Sequence, residues 1–235
     1  MSLLQISDLH LTSVARDAYR WRLFPWLLEA IPTNKVDTLL VLGDLTESKN
    51  YHSSQLVNSI VGAFCKLHTE TGVKVVILPG NHDSVDPEWP YFRFLGSFPF
   101  IDYIQVPTLK PFQGRDKVLF LPHTREPEKW GRDFLYEAEV IFMHQTFSGA
   151  QSETGHELEG MGVSVLAAAK RAEIWSGDVH VPQRLKVGSV YINYVGSPYP
   201  VRFGDSFEPR AVLLEKGLRK PTDLKPPGHQ RLSVT

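Results

Sequence analysis

Short apolar runs that end in a polar, glycine-marked turn recur along the chain. Five of these runs are rich in Val, Ile and Leu, namely Leu3–Ile6, Thr38–Leu42, Val73–Leu78, Glu139–Met143 and Glu173–Trp175. Their length and composition predict buried strands. Four further runs predict additional strands at Ile101–Ile104, Lys117–Leu121, Arg184–Lys186 and Val190–Val195. The last two runs flank Gly188-Ser189, which predicts a hairpin.

Helical periodicity fills the gaps between the first strands. One segment, Ser53–His68, begins with two candidate N-cap residues, Ser53 and Ser54. Its apolar face is formed by Leu56, Ile60, Phe64 and Leu67. A second segment, Arg16–Ile31, contains Pro25, which we expect to kink the helix or divide it in two.

The order of these elements predicts an α/β protein. Alternating strands and helices favour parallel central strands, and the later strands predict a second sheet packed on the first. Residues 1–216 are expected to form one domain, and residues 217–235 a basic, Pro-rich and poorly packed C-terminal tail. The Gly-, Ser- and Glu-rich segment 148–162 is long enough to be a functional or a mobile loop.

Composition narrows the classes of function. The 235 residues are 42% hydrophobic and 22% charged, as in ordinary soluble proteins, and the net charge of −1 gives no sign of a polyanion-binding surface. The single cysteine, Cys65, excludes an intrachain disulfide and a cysteine-based zinc site, and its apolar surroundings predict a buried thiol. Neither a signal peptide nor a membrane span is recognisable, which predicts a cytoplasmic protein.

Polar residues of one chemical kind follow five of the predicted strands. They are Asp8 and His10, Asp44, Asn81 with His82 and Asp83, His144, and Asp178 with His180. Any one of them taken alone is better explained as a turn, a cap or a surface histidine. Together they are expected at the carboxyl edge of a parallel sheet, where sites form and where cations would compensate their charge.

The donor set predicts two divalent metal ions. Oxygen and imidazole donors without a thiolate suit Mn²⁺, Zn²⁺ or Fe²⁺ better than Ca²⁺. Seven candidate ligands exceed what one centre takes from a protein, whereas two ions that share a bridging carboxylate use all of them. We expect Mn²⁺, with Mg²⁺, Fe²⁺ and Zn²⁺ as alternatives.

The motifs also resemble those of a known family. "DLH" (8–10), "GDL" (43–45), "GNHD" (80–83), His144 and "GDVH" (177–180) are similar, in this order, to the five motifs of the calcineurin-like metallophosphoesterases. The resemblance implies a four-layer αββα sandwich, in which two mixed β-sheets lie face to face with helices outside. It implies hydrolysis of phosphoesters by water that is activated at the metal ions.

The resemblance assigns a role to each motif residue. Asp8, His10 and His180 would hold metal 1, Asn81 and His144 would hold metal 2, and Asp44 would bridge the two. His82 would lie near the scissile phosphate, either as a proton donor to the leaving group or as a hydrogen-bond donor to the transition state, oriented by Asp83. These roles are implied by the family and not by the spacing alone.

One motif departs from the family pattern. The last motif usually reads Gly-His-x-His, whereas this chain has Gly177-Asp178-Val179-His180. Asp178 therefore stands where a histidine ligand of metal 2 is expected. A carboxylate can take that place, and it would favour oxygen-preferring ions such as Mn²⁺ or Mg²⁺. The alternative is that Asp178 does not reach the metal and that the second position is weak.

Parts of the chain also resemble SbcD-like DNA nucleases and their small relatives in bacteriophages. The stretches "GDVHVPQ" and "YVGSPYPVRFGD" carry this likeness, supported by "GDLTESKNYHS" and "LPHTREPEKW". It implies a nuclease, such as an exonuclease, that cleaves DNA phosphodiester bonds. SbcD-like enzymes also carry a capping domain and a segment for an SMC-type ATPase partner. Because 235 residues leave little room for either, we expect a stand-alone nuclease or phosphodiesterase.

Other interpretations remain open at the level of sequence. A small nucleotide, cleaved by a phosphodiesterase or phosphatase, is an alternative substrate, and a non-catalytic scaffold of the same fold is a third hypothesis.

Two groups of basic residues are candidate phosphate contacts: Arg125, Lys129 and Arg132, and Arg184, Lys186 and Arg202. The aromatic residues between Trp89 and Phe100 are expected to fill the core rather than stack on bases.

Overall fold

Twelve strands form two six-stranded mixed sheets in the computed structural model, which describes residues 1–169, 171–202, 205, 207–215, 217–218 and 220–227. In chain order the strands are β1 (Ser2–Ile6), β2 (Thr38–Leu42), β3 (Lys74–Leu78), β4 (Ile101–Tyr103), β5 (Thr108–Phe112), β6 (Arg115–Leu121), β7 (Val140–His144), β8 (Glu173–Gly177), β9 (Gln183–Val187), β10 (Val190–Tyr194), β11 (Ala211–Glu215) and β12 (Lys220–Leu224). The α-helices are α1 (Leu23–Thr33), α2 (Ser54–Thr71) and α3 (Arg132–Glu137). Short 3₁₀ segments lie at Ala15–Arg22, Tyr91–Ser97, Pro127–Trp130 and Val163–Leu166.

Each sheet has a parallel centre and antiparallel edges. The first sheet has the order β12-β11-β1-β2-β3-β4, in which β1 to β4 are parallel and β11 and β12 are antiparallel additions. The second sheet has the order β5-β6-β7-β8-β10-β9, in which β6, β7, β8 and β10 are parallel. The predicted α/β class with two mixed sheets is therefore confirmed.

Alternate side chains of each strand enter different cores. Leu39 and Val41 of β2 pack with the buried faces of α1 and α2, whereas Leu40 and Leu42 pack between the two sheets against residues such as Phe142. The outer face of the second sheet is covered by Trp130, Leu135 and Leu166, among others. The layers are thus helix, sheet, sheet and helical segments, as the four-layer prediction requires.

Local sequence signals explain how the two main helical regions begin. The Ser53 hydroxyl accepts a hydrogen bond from the Leu56 backbone N–H at 3.1 Å, so Ser53 and not Ser54 is the N-cap of α2. The region around Pro25 is divided, as predicted: a 3₁₀ segment gives way to α1 at Leu23. Pro25 lies in the first turn of α1, where no intrahelical partner for its nitrogen is needed.

Some elements differ from the sequence predictions. β4 joins the first sheet beside β3, although the run at 101–104 was predicted to belong to the second. β5 and β12 were not predicted because Pro111 and Pro221 interrupt them, and both strands lie at sheet edges, where a missing N–H is tolerated. β11 was also missed, although its apolar run "AVLLE" is a strand signal.

The predicted C-terminal tail is partly structured. Lys220–Leu224 forms β12 and pairs antiparallel with β11, so the segment just beyond residue 216 is packed and not loose. Residues 228–235 of the tail lie outside the described residues.

Cys65 is half-buried, because it lies beside the apolar stripe of α2 and not within it. Within the described ranges, no helix combines the length and apolar character that a bilayer-spanning segment needs.

Candidate metal centre

The carboxyl ends of strands from both sheets meet at one place. From the first sheet, Asp8 and His10 follow β1, Asp44 follows β2 and Asn81 follows β3. From the second sheet, His144 ends β7, while Asp178 and His180 follow β8. Contacts of 3.1–3.3 Å between polar atoms of these side chains join the two sets. The site therefore lies across the two sheets and not at the edge of a single one.

Four of the seven predicted ligands have a left-handed backbone conformation. The φ angles are 56° at Asp8, 43° at His10, 52° at Asp44 and 77° at Asp178. Non-glycine residues adopt such angles rarely, and strained positions of this kind cluster at functional sites. Backbone hydrogen bonds from Asp8 N to Gly43 O (3.2 Å) and from His10 N to Asp44 O (2.8 Å) hold the first two turns in place.

Two of the motif glycines are required by close packing at the site. Gly43 has a φ angle of 80°, and a Cβ atom there would overlap the His144 ring. A Cβ atom on Gly80 would lie 2.6 Å from the Asp44 nitrogen and 2.7 Å from His144 Nε2. Because the Asp44 contact involves backbone, the obstruction cannot be relieved by a side-chain rotation. The glycines of "GDL" and "GNHD" thus allow the ligand loops to approach His144.

The first group of donors consists of Asp8, His10 and His180, whose ligand atoms all lie within 4.8 Å of one another. The Nε2 atoms of His10 and His180 are 3.1 Å apart. Each ring has a glutamate at its other nitrogen: Glu47 Oε2 lies 3.3 Å from His10 Nδ1, and Glu153 Oε1 lies 2.6 Å from His180 Nδ1. A carboxylate in this position orients a metal-binding imidazole.

The second group of donors surrounds His144. Its Nε2 atom lies 3.3 Å from Asp44 Oδ1 and 3.3 Å from Asn81 Oδ1. Its Nδ1 atom donates a hydrogen bond to the Leu42 carbonyl oxygen at 2.7 Å, which leaves the lone pair on Nε2 facing the donors. One ligand atom each of Asp8, Asp44 and His144 also lies within 4.8 Å of the other two, close enough to share an ion.

Asp44 lies between the two groups. Its Oδ2 atom is 3.5 Å from His10 Nε2, while its Oδ1 atom is 3.3 Å from His144 Nε2. The side chain is almost fully buried, at 3% exposure. One carboxylate therefore presents a separate oxygen to each group, which is the arrangement that a bridging ligand needs.

Asp178 lies next to the second group, but one of its two carboxylate oxygens already accepts a hydrogen bond from the backbone. Its Oδ1 atom lies 3.6 Å from His144 Nε2, whereas its Oδ2 atom accepts a hydrogen bond from Thr146 N at 2.7 Å. The Asp178 N–H in turn donates to Asp8 Oδ1 at 3.1 Å. One oxygen thus remains directed towards the second group of donors.

The electrostatics of the site favour added positive charge. Burial raises the pKa of Asp8, and burial together with the nearby Asp44 carboxylate raises the pKa of Asp83 to about 7. Although burial opposes it, the Asp44 carboxylate raises the pKa of His144 well above its usual value. Carboxylates so close together cannot all ionise without compensating cations. The buried oxygen and imidazole donors therefore fit the divalent ions that the sequence predicts.

His82 and Asp83 have different surroundings. His82 Nδ1 lies 2.7 Å from the Glu47 carbonyl oxygen, and the His82 backbone N–H donates to Asp44 Oδ1 at 2.9 Å. The Asp83 carboxylate accepts hydrogen bonds from Gly80 N (2.7 Å) and Leu45 N (2.9 Å). The implied orientation of His82 by Asp83 is thus corrected. The Glu47 carbonyl orients the ring, while Asp83 fixes the two loops that carry Asp44 and Asn81.

A cavity of about 220 Å³ opens onto these donors. Segment 148–162 forms part of its wall through Ser152, Glu153 and Glu159. Of the basic residues singled out in the sequence, Arg202 lines the cavity. Arg184 and Lys186 instead lie over the ring of Tyr191, at 4.2 and 5.4 Å from its centroid.

Several residues near the site were missed or only partly foreseen in the sequence. Glu47 and Glu153 were missed as site residues, although Glu47 stands three positions after Asp44 and Glu153 lies in the segment predicted to be functional. The aromatic stretch is split: Phe92 is fully buried, as predicted for a core residue, whereas Trp89 is 68% exposed. Arg93 lies 4.9 Å from the Trp89 ring centroid.

Comparison with known proteins identifies the family. The family model of the calcineurin-like phosphoesterases matches residues 1–213, and the chain belongs to this family. It is therefore a metal-dependent phosphoesterase by family, with clusters of residues that can hold the metal.

Individual relatives match more partially. The SbcD component of the nuclease SbcCD from Escherichia coli K12 and its counterpart from E. coli O157:H7 are each 35% identical over 89 residues, which is 36% of this chain and 22% of the relative. The match thus spans less than a quarter of those relatives. The crystal structure of wild-type Vps29 complexed with Zn²⁺ from Entamoeba histolytica aligns with a TM-score of 0.42 and 14% identity, covering 94% of this chain and 89% of that chain.

Proposed function

We propose that the protein is a dinuclear phosphodiesterase that cleaves DNA phosphodiester bonds, with Mn²⁺ as its preferred ion. The observation that carries the dinuclear assignment is the position of Asp44, whose two oxygens face His10 and His144 separately. Asp8, His10 and His180 would hold metal 1. Asn81 and His144, with one oxygen of Asp178, would hold metal 2.

Bound at these positions, two divalent ions supply positive charge that polarises a phosphoester and makes water a stronger acid. The protein's own residues prepare the site for this charge. Leu42 and Glu47 carbonyl oxygens set the rings of His144 and His82, and Asp83 fixes the loops on either side. The resulting arrangement is held rigidly before any substrate arrives, which is the condition for electrostatic catalysis.

His82 is the proposed proton donor to the leaving oxygen. Its ring lines the cavity, with a centroid 5.0 Å from that of His10. Because Nδ1 is hydrogen-bonded to the Glu47 carbonyl oxygen, Nε2 is the nitrogen that can exchange a proton with substrate. A donor placed in this way contributes to the departure of an alkoxide.

A nucleic-acid substrate is supported by the partial similarity to the SbcD component of a nuclease. Among the described cavity-lining residues, Arg202 carries the permanent positive charge, and Glu47, Glu153 and Glu159 are acidic. An anionic phosphodiester would therefore depend on the metal ions and on Arg202 for attraction. The proposal does not extend to an SMC-type ATPase partner, and a cytoplasmic location stays a prediction.

A small nucleotide is the second candidate substrate. The cavity of about 220 Å³, with segment 148–162 as a wall, is smaller than the roughly 300–1,000 Å³ of typical ligand sites, which favours a small substrate or a single nucleotide unit over a duplex. A nucleic acid would have to present a strand end or an unpaired strand to this cavity. Both substrates use the same donors, so an assay must separate them.

Paired assays with Mn²⁺ test these alternatives. We expect wild-type protein to cleave single-stranded or duplex DNA and also a small aryl phosphodiester, and the Asp44→Ala variant to lose metal and both activities. Cleavage of the small ester without any cleavage of DNA would reject the nuclease and leave the small-nucleotide enzyme. Purified protein that neither retains nor binds metal, and hydrolyses neither ester, would indicate the scaffold.

A further inference from the structure

Segment 148–162 forms a closed turn beside the metal centre. The Ser152 N–H donates to His156 O at 2.8 Å, and the Gly155 N–H donates to Ser152 O at 3.0 Å. At the base of the turn, the Leu158 N–H donates to Ala150 O at 2.7 Å. Glu153 is therefore carried by a hydrogen-bonded turn whose backbone position is well defined.

This turn is attached to the strand that follows His180. The Gln151 N–H donates to Gln183 Oε1 at 2.8 Å, and Gln183 Nε2 donates back to Gln151 O at 2.7 Å. Gln183 begins β9, three residues after His180. The reciprocal pair of hydrogen bonds keeps the segment and the last metal-binding motif in fixed relation.

Glu153 contacts the outer nitrogen of His180. Its Oε1 atom lies 2.6 Å from His180 Nδ1, and the two side chains are only 16% and 12% exposed. The opposite nitrogen of the same ring, Nε2, lies 3.1 Å from His10 Nε2 in the first donor group. One nitrogen of the imidazole thus contacts a carboxylate, while the other faces the first donor group.

We propose that Glu153 is a positioning residue for metal 1, which fixes the His180 ring so that its Nε2 atom faces that metal position. A carboxylate at the other nitrogen sets the tautomer and increases the basicity of the ligand. Segment 148–162 thereby contributes to metal affinity as well as to the cavity wall. This inference rests on the proposed metal site.

Titration of the metal-free protein with Mn²⁺ tests the assignment by calorimetry. We expect Glu153→Ala to weaken Mn²⁺ binding by about 10–100-fold, the loss typical of such outer partners. Glu153→Gln, which keeps an acceptor oxygen but not the charge, should lose less. Glu157→Ala is the matched control, because Glu157 is an exposed glutamate of the same segment. Circular dichroism would establish that each variant is folded.

A double-mutant cycle with His180 distinguishes positioning from a general structural effect. If Glu153 acts through His180, Glu153→Ala should add little to the loss of affinity already caused by His180→Ala. An equal loss in both backgrounds, or wild-type affinity in both Glu153 variants, would overturn the inference while the metal site stands. Wild-type protein that binds no Mn²⁺ would overturn the metal site itself, and the inference with it.

Discussion

Asp178 is the residue at which this chain departs from the usual motif of its family. Its backbone is left-handed, one oxygen is bonded to Thr146 N, and the other lies 3.6 Å from His144 Nε2. A neutral histidine has a single acceptor nitrogen. If that nitrogen bound metal, no acceptor would remain for the Thr146 N–H. The carboxylate thus combines a structural bond with a free ligand atom.

Substitution of Asp178 should change the second metal position. We expect Asp178→Ala to weaken the second Mn²⁺-binding event by about 10-fold or more, since it would remove a proposed ligand and leave the Thr146 N–H unpaired. Asp178→His should shift preference from Mn²⁺ towards Zn²⁺. Competition titrations with the two ions measure both effects. Unchanged occupancy and turnover in Asp178→Ala would make Asp178 a bystander.

Substitution of His82 should separate turnover from metal binding. Its ring nitrogens face the Glu47 carbonyl and the cavity, and the contact to Asp44 comes from its backbone N–H. We therefore expect His82→Ala to retain metal but to lose turnover by a factor on the order of 10²–10⁴. Metal analysis and kcat on the same preparation provide the check, and full activity would contradict the assignment.

At the scale of elements, the N-terminus of α2 shows how a local sequence signal becomes a hydrogen bond. Ser53 has an extended backbone, with ψ of 151°, and its hydroxyl accepts from Leu56 N. At the other end, Gly72 is left-handed, with φ of 74°, and its N–H bonds to His68 O. Both ends of the longest helix in the described part of the chain are thus defined by the sequence.

The two adjacent serines provide a matched pair of variants. We expect Ser53→Ala to lower the free energy of unfolding by about 1 kcal/mol, because it removes the cap. Ser54→Ala should have a smaller effect or none, since its side chain is not the cap. Urea denaturation of the two variants gives the difference, and equal values would show that Ser53 does not act as a cap.

At the scale of the whole molecule, the packing of one sheet on the other brings the two halves of the site together. Phe120 and Phe142 of the second sheet are fully buried against residues of the first, such as Leu40 and Leu42. Phe142 lies two residues before His144 on β7, so its packing also positions this proposed ligand. The inter-sheet core therefore supports the proposed metal site.

Removal of the Phe142 ring should disturb stability and metal binding together. We expect Phe142→Ala to lower the free energy of unfolding by about 3–5 kcal/mol through loss of buried area and creation of a cavity. It should also weaken Mn²⁺ binding by displacing His144. Phe134→Ala is the control, because Phe134 is 40% exposed. Similar losses in the two variants would contradict the role assigned to the inter-sheet core.

The sequence alone was sufficient for most of the fold. β2 begins and ends where its apolar run does. β1, β3 and β8 differ from their runs by one or two residues at one end, and β7 differs by one residue at each end. Such strands are recognisable because burial on both faces requires continuous apolar residues. The edge strands β5 and β12 were not recognised because their sequences contain proline, although each forms a hairpin with the strand next to it in the chain, β6 and β11 respectively.

The site was also foreseen only in part. Sequence motifs supplied the candidate ligands, because Asp, Asn and His after apolar runs have few other uses when they recur. They could not show that β7 and β8 belong to a different sheet from β1 to β3. Nor could they show that Glu153 Oε1 lies 2.6 Å from His180 Nδ1. They also could not show that the Asp83 carboxylate accepts hydrogen bonds from backbone N–H groups and not from His82.

The sequence by itself determined the chemical character of the site and the strands that deliver it, because apolar periodicity and donor type are local properties. The tertiary structure decided which donors face each other, which carboxylate lies between the two donor groups and which carboxylates lie behind the histidines. These relations join residues far apart along the chain, such as Asp44 with His144 and Asp8 with Asp178. They exist only once the two sheets have packed.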